Sequence, residues 1–171
     1  SFARADWCKV DGVYRMSDLP PAPEPVVFPI GIAGLEPHYN IRLGDFCVIT
    51  GIPSHGKTMF ANEVAFRMAD KGWVTVFASF EQKPQHDHRR NMRTYFNRKM
   101  VKFQNQEERD RADEWIDRHF RFLVPSEDDL VSLEWVLDRC KAAIVQHGAR
   151  IVIIDPWNEM DHSRPGDMSL T

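Results

Sequence analysis

The chain has 171 residues, 43% of them apolar and 27% charged, and a formal net charge of −3. That length is enough for one domain with its own core. The slight acidity excludes any overall pull toward nucleic acid or an anionic membrane, so such an attraction must be local. No run is long enough to span a bilayer, and no signal-peptide pattern opens the chain. The three cysteines, Cys8, Cys47 and Cys140, are scattered and read as small buried hydrophobes of a reducing compartment.

Residues 1–29 carry little periodicity. Leu19-Pro20-Pro21-Ala22-Pro23-Glu24-Pro25 holds four of the eleven prolines, which stiffen the backbone and remove ladder donors. This segment reads as an N-terminal arm or linker. Its apolar members Trp7, Val13, Tyr14, Val26, Val27 and Phe28 are expected to lie against a domain surface, either its own or a neighbouring subunit's. The first residue is Ser1 rather than Met, so the chain is expected to be a piece of a longer polypeptide.

Residues 30–171 read as a single α/β domain. From Ile41 onward apolar runs alternate with helix-periodic runs, the pattern of a mainly parallel sheet with crossover helices. Strands are predicted at 45–50, 73–80, 120–124 and 150–155. Helices are predicted at 57–70, at 85–118 with a break, and at 127–147. For the last helix, Ser126 and Asp129 are predicted to form a capping box. Leu130, Leu133, Leu137, Cys140 and Ile144 would form its apolar stripe and Gly148 its close.

Between the first strand and the first helix stands Gly51-Ile52-Pro53-Ser54-His55-Gly56-Lys57-Thr58, an unbroken G-x-x-x-x-G-K-T in the strand-to-helix context that this motif requires. Successive backbone N–H groups in such a loop form an anion nest, and the glycines allow close approach to phosphate. Lys57 places a point charge at the β- and γ-phosphates. Thr58 brings the hydroxyl expected to hold Mg²⁺. The implied ligand is ATP or another nucleoside triphosphate.

Hydrolysis needs acidic partners. Ile151-Val152-Ile153-Ile154-Asp155 delivers a carboxylate toward the Mg²⁺ shell from a buried strand. Val74-Thr75-Val76-Phe77-Ala78-Ser79-Phe80 ends at Glu81, placed to activate water at the same sheet edge. Segment 83–102 carries Lys83, Arg89, Arg90, Arg93, Arg98, Lys99 and Lys102 against Asp87 alone, with Met92, Phe96, Met100 and Phe103 at helical spacing. Its basic face could follow a phosphate backbone, but solvation or an intersubunit contact with acidic 107–117 is the favoured reading. His86, His88 and His162 lack further ligands at metal-binding spacing and read as surface histidines. Trp115 and Trp135 read as packing residues.

With these residues assembled, the chain resembles the RecA-like motor domain of hexameric replicative helicases of the DnaB and Twinkle kind. The match runs from about Gly31 to the end, through Arg42-Leu43-Gly44-Asp45, the loop, Phe80-Glu81 and Ile153-Ile154-Asp155. Asp155-Pro156-Trp157-Asn158-Glu159 is most similar to phage and bacterial proteins that join a Toprim primase to a helicase. The resemblance implies a catalytic glutamate at Glu81, a Walker B acid at Asp155, and phosphate and Mg²⁺ binding by Lys57 and Thr58. It also implies a homo-oligomeric ring, a hexamer, acting on single-stranded DNA in the cytoplasm of a bacterial or phage-infected cell. Residues 159–171 look like the start of a DNA-facing loop, disordered without DNA, with His162 and Arg164 as contacts. Such motors continue with a sensor strand and an arginine finger, for which this chain has no residues, so it is expected to bind nucleotide yet hydrolyse it poorly. The same loop and acids also suit a recombinase, a clock-type regulatory ATPase, or a non-catalytic nucleotide-binding assembly module.

Overall fold

A computed structural model describes residues 14–22, 24–126 and 129–156. Two short strands, β1 (Val27–Phe28) and β2 (Ile41–Arg42), form an antiparallel pair. Helix α1 (Lys57–Ala69) then leads to β3 (Val74–Ser79). A π-helical turn at Pro84–His88 runs into α2 (Arg89–Asn97), and α3 (Gln106–His119) precedes β4 (Phe120–Phe122). Helix α4 (Leu133–His147) and β5 (Ala149–Asp155) complete the described elements.

β3 is the centre of a parallel three-stranded sheet, with β4 on one side and β5 on the other. Its sequence Val-Thr-Val-Phe-Ala-Ser is buried along nearly all its length, as befits a strand covered on both faces. The two-residue period divides its side chains. Phe77 faces Ala65, Phe66 and Ala69 of α1, Met92 and Tyr95 of α2, and Trp115 and Ile116 of α3. Val76 and Ala78 face Val136, Cys140 and Ala143 of α4. Helices therefore cover both faces, and the α/β RecA-like P-loop core expected from the sequence is what forms.

The strand expected at 45–50 does not. Residues 43–55 are exposed, with Phe46 at 87% and Val48 at 71%. An apolar run becomes a strand only where it pairs with a neighbour, and this one joins neither outer strand of the β4-β3-β5 sheet. Among the described residues no strand lies beside this segment. Cys47 is accordingly exposed rather than buried, whereas Cys140 is buried as expected; Cys8 lies outside the described residues.

The last helix begins six residues later than expected. Asp129 does accept from the Ser126 N–H at 2.9 Å, but that pair closes a turn; the N-cap is Ser132, whose hydroxyl accepts from the Trp135 N–H at 3.1 Å. The buried stripe is Val136, Cys140 and Ala143, while Leu130, Leu137 and Ile144 are exposed. Three small residues let α4 lie close on the sheet, and the larger aliphatics fall to its flanks. Gly148 ends the helix in the left-handed region at φ 65°, as its place after the last periodic residue implied.

The expected break within 85–118 falls after Asn97, where Arg98 takes a left-handed conformation at φ 50°. Met100 and Phe103 are therefore off the helix and exposed, and the buried face is His88, Met92 and Tyr95. Asn105 caps α3 in a reciprocal box with Glu108, each side chain meeting the other's backbone N–H at 2.8 and 2.7 Å. Arg93 makes a two-pronged ion pair with Asp113 at 2.7 and 2.6 Å, and Lys99 pairs with Glu108 at 2.9 Å. Arg93 and Lys99 of the basic segment thus meet the acidic 107–117 segment within one chain, where solvation or an intersubunit contact was expected.

At the N-terminal side, Phe28 packs edge-on against Trp73 with ring centroids 4.8 Å apart. Lys71 donates to the Pro29 carbonyl and Arg67 to that of Gly31. The end of the expected arm therefore packs on its own domain. Tyr14, Met16 and Leu19 before it are exposed.

Candidate functional site

The phosphate-loop motif folds as a chain of turns that ends where α1 begins. Gly56 occupies the left-handed region at φ 88° and is the N-cap of α1, with no side-chain cap of its own. The first N–H groups of α1 are thereby left pointing out of the helix toward the loop, where the helix dipole favours an anion. Ser54 also has positive φ, 62°, which bends the loop back over the helix end. Every residue from Gly51 to His55 is exposed.

Lys57 donates to the carbonyls of Gly51 at 3.0 Å and Ile52 at 3.1 Å. Its ammonium is thus held over the loop mouth by two neutral acceptors, a partnership that a phosphate oxygen would outbid. The His55 ring meets the Pro53 carbonyl through Nδ1 at 2.8 Å, so this histidine braces the loop.

In the first turn of α1, the Thr58 hydroxyl donates to Oδ2 of Asp155 at 2.6 Å, across 97 residues of sequence. That contact brings together two residues to which the sequence assigned one job. Register explains it: Ser79 of β3 lies opposite Asp155 of β5, and Phe77 opposite Ile153. Asp155 therefore projects on the face of the sheet that α1 covers, at the strand ends. Both oxygens are hard donors, a set that suits Mg²⁺, which binds through phosphates and a few protein oxygens.

Glu81 follows two residues after Ser79, past the end of β3 at the same sheet edge, and is exposed. It makes no hydrogen bond to a protein group among the described residues. His162 and Arg164 lie outside the described residues. Among the described residues no group of three or more His, Cys, Asp and Glu side chains is placed to hold a metal ion.

His88 contradicts its sequence reading. It is 0% exposed, set between the rings of Phe77 and Phe122 with centroids 4.7 and 5.4 Å away. Burial holds its pKa below the ordinary histidine value, against the opposing pull of the Asp87 and Asp155 carboxylates. The spacing His88, Met92, Tyr95 was the available signal: three residues at i, i+4 and i+7 share a helix face.

A family model described as an AAA domain matches residues 38–167, which take in the loop, Glu81 and Asp155. The chain is 32% identical over 144 residues to the Twinkle homolog protein, chloroplastic/mitochondrial, of Arabidopsis thaliana. That alignment covers 78% of this chain and 20% of the relative, so the chain spans about a fifth of that protein's length. No solved structure matches significantly. Among the described residues no helix is long and apolar enough to cross a membrane. On a phosphate loop, a parallel sheet and a family match spanning both, the chain belongs to the AAA domain family.

Proposed function

We propose that the chain is the nucleotide-hydrolysing part of a DNA helicase motor, of the kind that works as a hexameric ring on single-stranded DNA. The observation that carries it is the 2.6 Å contact between Thr58 and Asp155, which supports reading the loop and the strand end as one site. The likeness to a Twinkle homolog supports the helicase class. The wording Asp155-Pro156-Trp157-Asn158-Glu159 supports a parent that joins a Toprim primase to the motor.

In this reading the N–H groups at the start of α1 and the loop amides bind the triphosphate. Lys57 leaves the Gly51 and Ile52 carbonyls for the β- and γ-phosphates. The Thr58 hydroxyl would hold Mg²⁺ directly and Asp155 would hold it through water, and the ion when bound would neutralise charge on the phosphate oxygens. Glu81, exposed at the strand ends, takes the proton of the attacking water.

Of the basic residues of 83–102, Arg90, Arg93 and Lys99 are engaged by Asp87, Asp113 and Glu108, which leaves those three less available to DNA. The test is the full-length parent carrying Glu81→Gln. Nucleotide binding is expected to persist while DNA-stimulated turnover and strand separation are lost. A parent that hydrolyses nucleotide without separating strands would point instead to a regulatory ATPase, and equal turnover for Glu81→Gln would point to a non-catalytic assembly module.

A further inference from the structure

The phosphate loop bends at a four-residue turn. The His55 N–H donates to the Ile52 carbonyl at 3.4 Å, so Pro53 and Ser54 are the central residues of that turn. Proline suits the first of these places, since its ring fixes φ at about −65°. The second place has positive φ, which glycine or asparagine usually supplies. Here it is Ser54, at φ 62°. A side chain with a Cβ resists that region, so the turn depends on contacts that hold it.

Among the described residues three side-chain hydrogen bonds hold the loop to itself. Two come from Lys57, to the Gly51 and Ile52 carbonyls, and the third joins His55 Nδ1 to the Pro53 carbonyl at 2.8 Å. A carbonyl oxygen only accepts, so Nδ1 carries the hydrogen and, in the neutral ring, Nε2 carries the lone pair. This bond links the residues on either side of Ser54 and ties the chain across the strained position. A ligand affects the two kinds of contact differently. When Lys57 turns to the phosphates, the loop loses two of its three holds at the moment its amides must stay arranged. The His55 bond uses a carbonyl, which an anion does not seek, and a ring N–H already engaged, so it persists.

We propose that His55 is a positioning residue for the phosphate loop, holding the left-handed turn at Ser54 so that the loop amides stay arranged for a triphosphate after Lys57 has turned to it. It acts through the backbone and not by touching phosphate. A single hydrogen bond between neutral groups is worth a factor of about 2 to 10 in an equilibrium, which is the scale on which His55 sets nucleotide affinity. This inference rests on reading the loop as a nucleotide site.

The test is titration of the chain with a fluorescent ATP analogue in Mg²⁺, with His55 exposed so that its variants leave the core intact. His55→Phe keeps a ring without the donor and is expected to weaken affinity about three- to tenfold. His55→Asn, which offers an amide N–H in place of the Nδ1–H, should recover most of the loss. In a Ser54→Gly background, where positive φ needs no support, His55→Phe should cost less than about twofold. In the chain labelled with ¹⁵N at histidine, the neutral His55 ring should be the Nδ1–H tautomer without ligand. Unchanged affinity in His55→Phe, the same loss in both backgrounds, or an Nε2–H tautomer would each overturn the proposal. Equal losses in His55→Phe and His55→Asn would overturn it too, and would assign the ring to phosphate directly. These outcomes, seen in a chain that binds the analogue, leave the nucleotide reading standing. An unmutated chain that binds none overturns that reading, and this proposal with it.

Discussion

Thr58→Val removes one hydroxyl and keeps the side-chain shape, so it isolates the bond between the loop helix and the far end of the sheet. The contact is an O–H donating to a carboxylate at 2.6 Å, within the range of short charge-assisted bonds. Hydrogen bonds to charged groups contribute about 1.5–3 kcal/mol, and the partial exposure of Asp155 lets water recover part of that, leaving about 1–2 kcal/mol. For a chain of this size each kcal/mol moves the melting temperature by about 2–4 °C, so a fall of about 2–8 °C is expected. The assay is reversible thermal or urea unfolding of four proteins: unmutated, Thr58→Val, Asp155→Ala and the double variant. The cycle should return a coupling of about 1 kcal/mol or more, because each partner loses its value once the other is gone. A coupling under about 0.3 kcal/mol would refute the reasoning, since contacting residues would then behave as distant ones.

Lys57→Ala should abolish Mg²⁺-nucleotide binding measured by a fluorescent nucleotide analogue while the fold survives, since Lys57 bonds only two exposed loop carbonyls; retained affinity would refute its assignment to phosphate. Arg93→Ala should destabilise the chain by about 1–2 kcal/mol by stripping Asp113 of both prongs of a half-buried pair, seen as a lower denaturant midpoint, and a neutral result would show the pair to be ornamental. Stability should also fall with acid through His88. Its folded pKa lies below the unfolded value of about 6.5, so the unfolded chain takes up the proton first. The stability it contributes is complete above about pH 6.5 and is lost as pH falls toward the folded pKa, at up to about 1.4 kcal/mol per pH unit. His88→Gln should flatten that limb of the stability–pH curve relative to the unmutated chain, and parallel curves would refute the assignment.

Much of the site could be read without coordinates because its chemistry depends on residue types in short, contiguous runs. Lys57 follows Gly56 because the turn into α1 needs a left-handed residue and the ammonium must follow it, and this is a local requirement. Asp155 follows four aliphatic residues because a strand packed on a sheet ends in a polar group where it reaches solvent, although β5, expected to be buried, is only partly covered. The capping of α3 by Asn105 and Glu108 was equally local, although Ser126 and Asp129, which show a similar pattern, only close a turn. That difference depends on where the sheet permits α4 to begin.

What escaped was whatever depends on a partner distant in the chain. Phe46-Cys47-Val48-Ile49 has the composition of a core strand, yet it pairs with no strand of the β4-β3-β5 sheet and lies exposed. The basic face of 83–102 looked free because Asp113 and Glu108 lie beyond the break that folds α3 back onto α2. His88 looked like one of several surface histidines because its spacing with Met92 and Tyr95 gives only a shared helix face, while Phe77 and Phe122, which close around it, come from distant strands.

From the order of its residues alone, then, this protein shows a phosphate-loop motif, two strand-end acids and an α/β core, because backbone conformation, helix ends and strand burial respond to neighbours a few positions away. Packing across the sheet settles which acid meets which hydroxyl, which basic residues are engaged and which histidine is buried. Those outcomes follow from the pairing of β3 with β5, which sets Ser79 beside Asp155 and turns that carboxylate toward α1. Contacts between residues as far apart as Thr58 and Asp155 exist only once that register is in place.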